Sequence, residues 1–212
     1  MTTAAPFPER AFDDEPWPAY VIDAGGFIVR VNWAWDREAQ AAGGPRSGEV
    51  LGTRWLDWIH GDELRAWHAD LLARLLGSPY APGQGGVVQT CECNTSMRYR
   101  VFTMRFSPLT THRVREPSGV LVITTLIAEG LIEAHYRVGV PDPARYRDAQ
   151  GVLRQCSGCR RVRVPGVEPP SWEIVPAFVA TPVPDVSHGL CELCWERYYS
   201  GLARRARAQG GT

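Results

Sequence analysis

Cys156-Ser157-Gly158-Cys159 and Cys191-Glu192-Leu193-Cys194 form two C-x-x-C pairs separated by 31 residues. Each pair makes a knuckle that aims two sulfurs at one point. Two knuckles supply four soft ligands, the set that tetrahedral Zn²⁺ prefers. Four thiolates leave no open coordination position, so the metal they imply is structural. The same four ligands also suit an iron–sulfur cluster or a redox dithiol switch, and these stay open as alternatives. His188, three residues before Cys191, would have to displace a cysteine to become a ligand, so it reads as a donor behind the ligands or a turn residue. Cys91 and Cys93 alternate onto the same face of a strand. They read as small buried residues rather than as a redox pair.

Whole-chain composition narrows the chemistry further. The 212 residues hold 23 basic and 23 acidic side chains, which argues against a general polyanion binder. Every basic residue is Arg and none is Lys, as a coding bias of a GC-rich genome would produce. A 44% hydrophobic content with eight Trp is ample for a packed core. No apolar run near the first residues reads as a signal peptide, and no stretch of about 18 apolar residues reads as a membrane span. Thiolate ligands survive best in a reducing compartment, so a cytoplasmic address is expected.

The elements that must position these residues can be read along the chain. Ala19–Asp23 and Phe27–Asn32 are β-rich runs joined through Gly25-Gly26, a hairpin signal. Trp33 to Ala42 reads as a helix that stops at Gly43. A second helix, Asp62 to Leu76, carries Leu64, Trp67, Leu71, Leu72 and Leu75 on one face. After a Gly/Pro loop over 78–86 come three β-rich runs, Val87–Cys93, Tyr99–Phe106 and Val120–Ile127. Residues 17–128 therefore predict an α+β domain, a five-stranded antiparallel sheet with helices on one face. Residues 129–154, broken at Pro141-Asp142-Pro143, read as a linker. Residues 155–208 hold the cysteine pairs and a helix from Trp195 to Ala208. A knuckle, a short hairpin and a ligand-bearing helix form a treble-clef-like module.

Pro18-Ala19-Tyr20-Val21-Ile22-Asp23, with Gly26, Ile28 and Val31-Asn32 after it, resembles the opening of a PAS sensor domain. Val50-Leu51-Gly52, Trp55, the helix after it and the three closing strands continue the likeness over about 110 residues. Cys156-Ser157-Gly158-Cys159-Arg160, Trp172 and Ser187-His188-Gly189 before the second pair resemble the cysteine tail of many bacterial PAS-containing proteins. This chain departs from that tail at Arg160, where Lys is usual, and in the Pro-rich stretch Val164 to Pro184. The resemblance implies a sensor whose ligand is not legible from the sequence. Haem-binding PAS domains use a histidine on a helix in this half of the fold, which makes His68 a candidate ligand. A lone His on an apolar face reads first as a core residue. The Gly-Arg-Asn-Cys-type segment of flavin-bonding blue-light PAS proteins is absent.

These readings converge on a signal-sensing or adaptor protein that binds a ligand or partner, carries structural Zn²⁺ and is not an enzyme. A redox or oxygen sensor and a DNA-binding regulator are the rival readings. Nucleic acid is disfavoured, because Arg204, Arg205 and Arg207 at a helix end are a small electrostatic footprint. A homodimer is expected through an apolar sheet face near Val120, Val122 and Leu126.

Overall fold

The computed structural model of the chain describes residues 9–77, 86–111 and 114–199. It divides into two compact units. One comprises Met1–Ile59, His68–Gln89 and Thr103–Leu126; the other comprises His60–Trp67, Thr90–Phe102 and Ile127–Thr212.

The first unit begins with α1 (Glu9–Asp13), β1 (Ala19–Asp23) and β2 (Ile28–Val31). The Asp23 side chain accepts from the amides of Gly25 and Phe27, each at 2.9 Å, which folds the turn between the strands. Gly26 completes it at φ 83°, a conformation other side chains resist. α2 (Trp33–Ala42), α3 (Ser47–Val50), a 3-10 turn at Trp55–Trp58 and α4 (Asp62–Gly77) follow. The chain then returns through β3 (Val87–Glu92), β4 (Arg98–Thr111) and β5 (Val114–Leu131). The five strands form one antiparallel sheet in the order β2-β1-β5-β4-β3. This is the predicted α+β arrangement of two strands, helices and three strands.

The pairing of β1 with β5 separates the sheet's faces. Tyr20 lies opposite Val122 and Ile22 opposite Val120, while Ala19 meets Ile123 and Val21 meets Leu121. On the Tyr20 side, Tyr20 packs edge-on to Trp35, and Trp55 meets both His68 and Phe106 edge-on. The face expected to be open was marked by Val120 and Val122, but both lie on the Tyr20 side and are fully buried. The Ala19 side is partly covered as well. Phe12 of α1 is buried with Ala19 and Leu121, and Arg30 stacks on the Phe12 ring and pairs with Asp13.

Asn32 explains the end of the opening motif. Buried at 3% exposure, it caps α2 by accepting from Trp35 N, and it accepts from Ala19 N at 2.9 Å. Its amide nitrogen donates to the carbonyls of Glu15 and Trp17. Asn32→Ala removes a helix cap and strands several buried partners, so the denaturation midpoint should fall by the equivalent of about 2–3 kcal/mol. An unchanged midpoint would refute this role.

The second unit holds a four-stranded sheet in the order β8-β7-β6-β9, built from β6 (Leu153–Cys156), β7 (Val162–Val164), β8 (Ser171–Glu173) and β9 (Val186–Gly189). β6 and β9 run parallel and the other pairs antiparallel. The stretch expected to be a linker contains α5 (Ile132–His135) and a 3-10 turn at Pro143–Tyr146. Tyr146 from that turn joins Leu153, Val162, Val175 and Phe178 in a buried cluster. The Pro-rich stretch also folds, giving β8 and α6 (Pro176–Ala180), in which Pro176 takes the first turn where its missing N–H costs nothing. A last helix, α7, covers residues 192–199. The rest of the predicted Trp195–Ala208 helix, with Arg204, Arg205 and Arg207, lies outside the described residues, as does most of the 78–86 loop. Among the described residues no helix is long and apolar enough to cross a membrane.

Candidate metal centre

The parallel pairing of β6 and β9 builds the site. Its register sets Cys156 opposite Gly189, two residues before Cys191, and Ser157 N donates to Gly189 O at 2.8 Å. The first knuckle closes through Arg160 N to Cys156 O and Cys156 N to Arg161 O, with Arg160 in the left-handed region at φ 66°. Cys191 immediately precedes α7, and its carbonyl accepts the helical bond from Trp195 N at 2.8 Å. Cys194 lies one turn further along. Gly158 allows the knuckle to close on it, since a Cβ there would stand 2.9 Å from Cys194 Sγ.

All four sulfurs lie within 4.8 Å of one another. Cys159 and Cys191 Sγ are 3.7 Å apart, against about 3.8 Å for an edge of a tetrahedron with Zn–S bonds of ~2.3 Å. No cysteine of the set is more than 1% exposed. Four buried, convergent soft donors can hold a metal ion, and a sulfur-only set favours a soft or borderline cation. Crowding divides the thiols among themselves. Hydrogen bonds from Cys156, Cys159 and Cys194 hold Cys191 far below the ordinary thiol range, while those with Cys156, Cys159 and Cys191 push Cys194 far above it. A bound cation would replace the protons they share.

Residues that the sequence reading passed over surround the sulfurs. Arg161 is 8% exposed and donates from Nε to Cys159 Sγ at 3.1 Å and from Nη2 to Cys191 Sγ at 3.2 Å. Its guanidinium lies over the Tyr136 ring, 4.9 Å from the centroid. The Tyr136 hydroxyl donates to Glu92, whose other oxygen accepts from Arg197 Nη1 at 2.7 Å. Burial, followed by the Glu92 carboxylate, pushes the Tyr136 hydroxyl well above its ordinary range. Burial acts to lower the Arg161 pKa, but the Cys159 and Cys191 sulfurs outweigh it and hold the guanidinium firmly charged. Asn94 Nδ2 donates to Cys159 O at 2.9 Å, and Asn94 Oδ1 accepts from Arg100 N. Residues 90–102, read from sequence as part of the PAS-like domain, therefore contribute to the compact unit that holds the cysteines.

The other candidates stand apart from the sulfurs. His188 is exposed on β9 and stacks on His60, with ring centroids 5.8 Å apart. Burial, then the His60 and Arg160 charges, hold it below the usual imidazole range. His68 is buried in the first unit with its ring against Trp55. Cys91 is half-buried and Cys93 exposed, and burial pushes the Cys91 thiol up to about 12. Gln89 was not singled out from sequence, yet it is buried and neither polar atom of its amide has a hydrogen-bond partner.

No family model matches the chain, and no curated protein matches it by sequence. Among solved structures it is similar to PAS domains. With the PAS domain of BvgS from Bordetella pertussis it shares 19% identity at a TM-score of 0.43, over 56% of this chain and 82% of that one. A PAS domain from Colwellia psychrerythraea gives 16% identity and a TM-score of 0.40, over 56% of this chain and 92% of that one. The PAS-B domain of Cycle from Drosophila melanogaster, solved with bound ethylene glycol, gives 15% identity and 0.38, over 52% and 99%.

Proposed function

We propose that this chain is a cytoplasmic signal-sensing or adaptor protein that acts by binding. The PAS-like region within 17–128 takes a ligand or partner, and Cys156, Cys159, Cys191 and Cys194 hold one structural Zn²⁺ in a treble-clef-like module within 155–208. The observation that carries the metal part is the burial of four converging sulfurs around one point. A closed sulfur tetrahedron offers no position for a substrate, which favours a structural over a catalytic ion. The sensing part is supported by the opening motif and the five-stranded sheet, and by the unpartnered amide of Gln89. A buried amide without partners costs stability until a water or ligand meets it. The homodimer remains part of the proposal, but not through Val120 and Val122, which are fully buried within the chain.

Native mass spectrometry of protein purified under reducing conditions tests these statements together. The expected species is a dimer with one zinc per chain. Iron in place of zinc, or less than about a tenth of an equivalent of zinc for a four-ligand site, would sink the metal assignment. A monomer mass at tens of micromolar protein, measured by light scattering, would sink the dimer.

A further inference from the structure

We propose that Arg161 is a positioning residue of the cysteine centre, a fixed cation that ties the two knuckles together and offsets the charge of their sulfurs. The inference rests on reading that centre as a metal site. Four thiolates around a divalent ion carry a net charge of about −2, and burying such a charge is costly without an opposing one. Arg161 is the residue that supplies it. Its guanidinium reaches Cys159 in the first knuckle and Cys191 in the second. A planar fork with several N–H groups can bridge two sulfurs at once, whereas an ammonium acts as a point charge.

The guanidinium is held from several sides. Its backbone carbonyl accepts from Cys156 N at 2.8 Å, so the main chain is fixed to the knuckle that it serves. The left-handed turn at Arg160, with φ 66°, brings the chain back so that Arg161 follows directly on that knuckle. The Tyr136 ring supports its plane. Glu92 takes the Tyr136 hydroxyl on one oxygen and Arg197 on the other. Arg197 belongs to α7, the helix that follows Cys191 and contains Cys194. Arg161, Tyr136, Glu92 and Arg197 thus form a row of contacts that starts at the sulfurs and returns to the helix bearing Cys194.

The test uses the full chain, loaded with Zn²⁺ for affinity and with Co²⁺ for spectroscopy. Wild type should show the visible bands of tetrahedral cobalt and a sulfur-to-cobalt charge-transfer band. In Arg161→Met the sulfurs lose charged donors and become more electron-rich. The charge-transfer band should move to lower energy, the visible bands should persist, and zinc affinity measured against a chromophoric chelator should fall roughly 10–100-fold. Arg161→Lys keeps the charge but not the fork, and should fall between the two in band position and affinity. An Arg161→Met protein with the wild-type band and affinity overturns the proposal, and so does an affinity loss without a band shift, which would mark mere packing. Should Arg161→Met fail to fold, Arg161→Lys decides, and wild-type behaviour in it overturns the proposal. A wild-type protein that takes up neither ion overturns the metal reading itself, a failure visible before any substitution is made.

Discussion

Cys191→Ser is expected to abolish zinc uptake and unfold the second compact unit. Next to the cysteine region the unit holds a cluster of Tyr146 with Leu153, Val162, Val175 and Phe178, a modest core for its length. Metal binding contributes about 10–16 kcal/mol in small zinc modules, comparable to the whole stability of an ordinary domain, about 5–15 kcal/mol. Cys191 is also one of the two sulfurs that receive Arg161, and it stands where α7 begins. Its loss frees α7, and Arg197 then leaves a Glu92 side chain that is only 4% exposed. Hydrogen exchange should show residues 127–199 losing protection. Residues 90–102 should lose it with them, because Asn94 is bonded to Cys159 and Glu92 to Arg197. Retained protection at 90–102 with complete loss in 155–199 would contradict this coupling and mark the cysteine region as an independent folding unit.

The other large effect belongs to Glu173→Ala. Glu173 is 1% exposed, accepts from the Tyr146 hydroxyl at 2.8 Å, and pairs with Arg137 at 2.8 Å and Arg145 at 3.7 Å. Burial and this carboxylate push the Tyr146 hydroxyl up to about 12. Both arginines are substantially exposed and can return to water, so screening limits their share. The Tyr146 hydroxyl cannot, being buried in the cluster. Truncation leaves it without its acceptor beside a new void, and the expected loss is about 3–5 kcal/mol. Glu173→Gln retains a carbonyl oxygen for Tyr146 and should cost clearly less. Equal midpoints for Glu173→Ala and Glu173→Gln in urea would show that the Tyr146 bond does not carry the effect.

Sequence was most informative where local rules act alone. Ala19–Asp23 and Trp33–Ala42 have the bounds expected from β-branched runs and Gly punctuation. β4 and β5 run well beyond the expected Tyr99–Phe106 and Val120–Ile127, passing through Pro108 and Pro117. Proline usually ends a strand because it lacks a ladder donor. Here the pairing of β5 with β1 stops at Gly119, so Pro117 lies beyond the stretch that β1 covers. The cysteine set was legible because C-x-x-C spacing is a local geometric device. Its environment was not, because Glu92, Asn94 and Tyr136 approach it from distant sequence. Arg161 carried no local signal, since the left-handed turn at Arg160 that places it is not marked by a glycine. The small core around Tyr146 was missed because Pro-rich and irregular stretches lack a periodicity that betrays burial.

Glu92 and Arg197 are separated by 105 positions, and this separation has a consequence for the order in which the molecule is made. Chains grow from the N-terminus at roughly 5–20 residues per second, so Glu92 is synthesised about 5–20 s before the cation that neutralises it. During that interval the strands of the first sheet can pair, and the Cys156–Cys159 knuckle can form with Arg161 beside it. Glu92 must remain hydrated, and Cys191 and Cys194 do not yet exist. A half-built site with two sulfurs holds a metal weakly. Completion therefore waits for the helix with Cys194 to be translated and for an ion to be captured. A cell starved of that ion would accumulate chains whose cysteine region stays open, and the strand residues 90–102 tied to it would stay exposed to proteases with it.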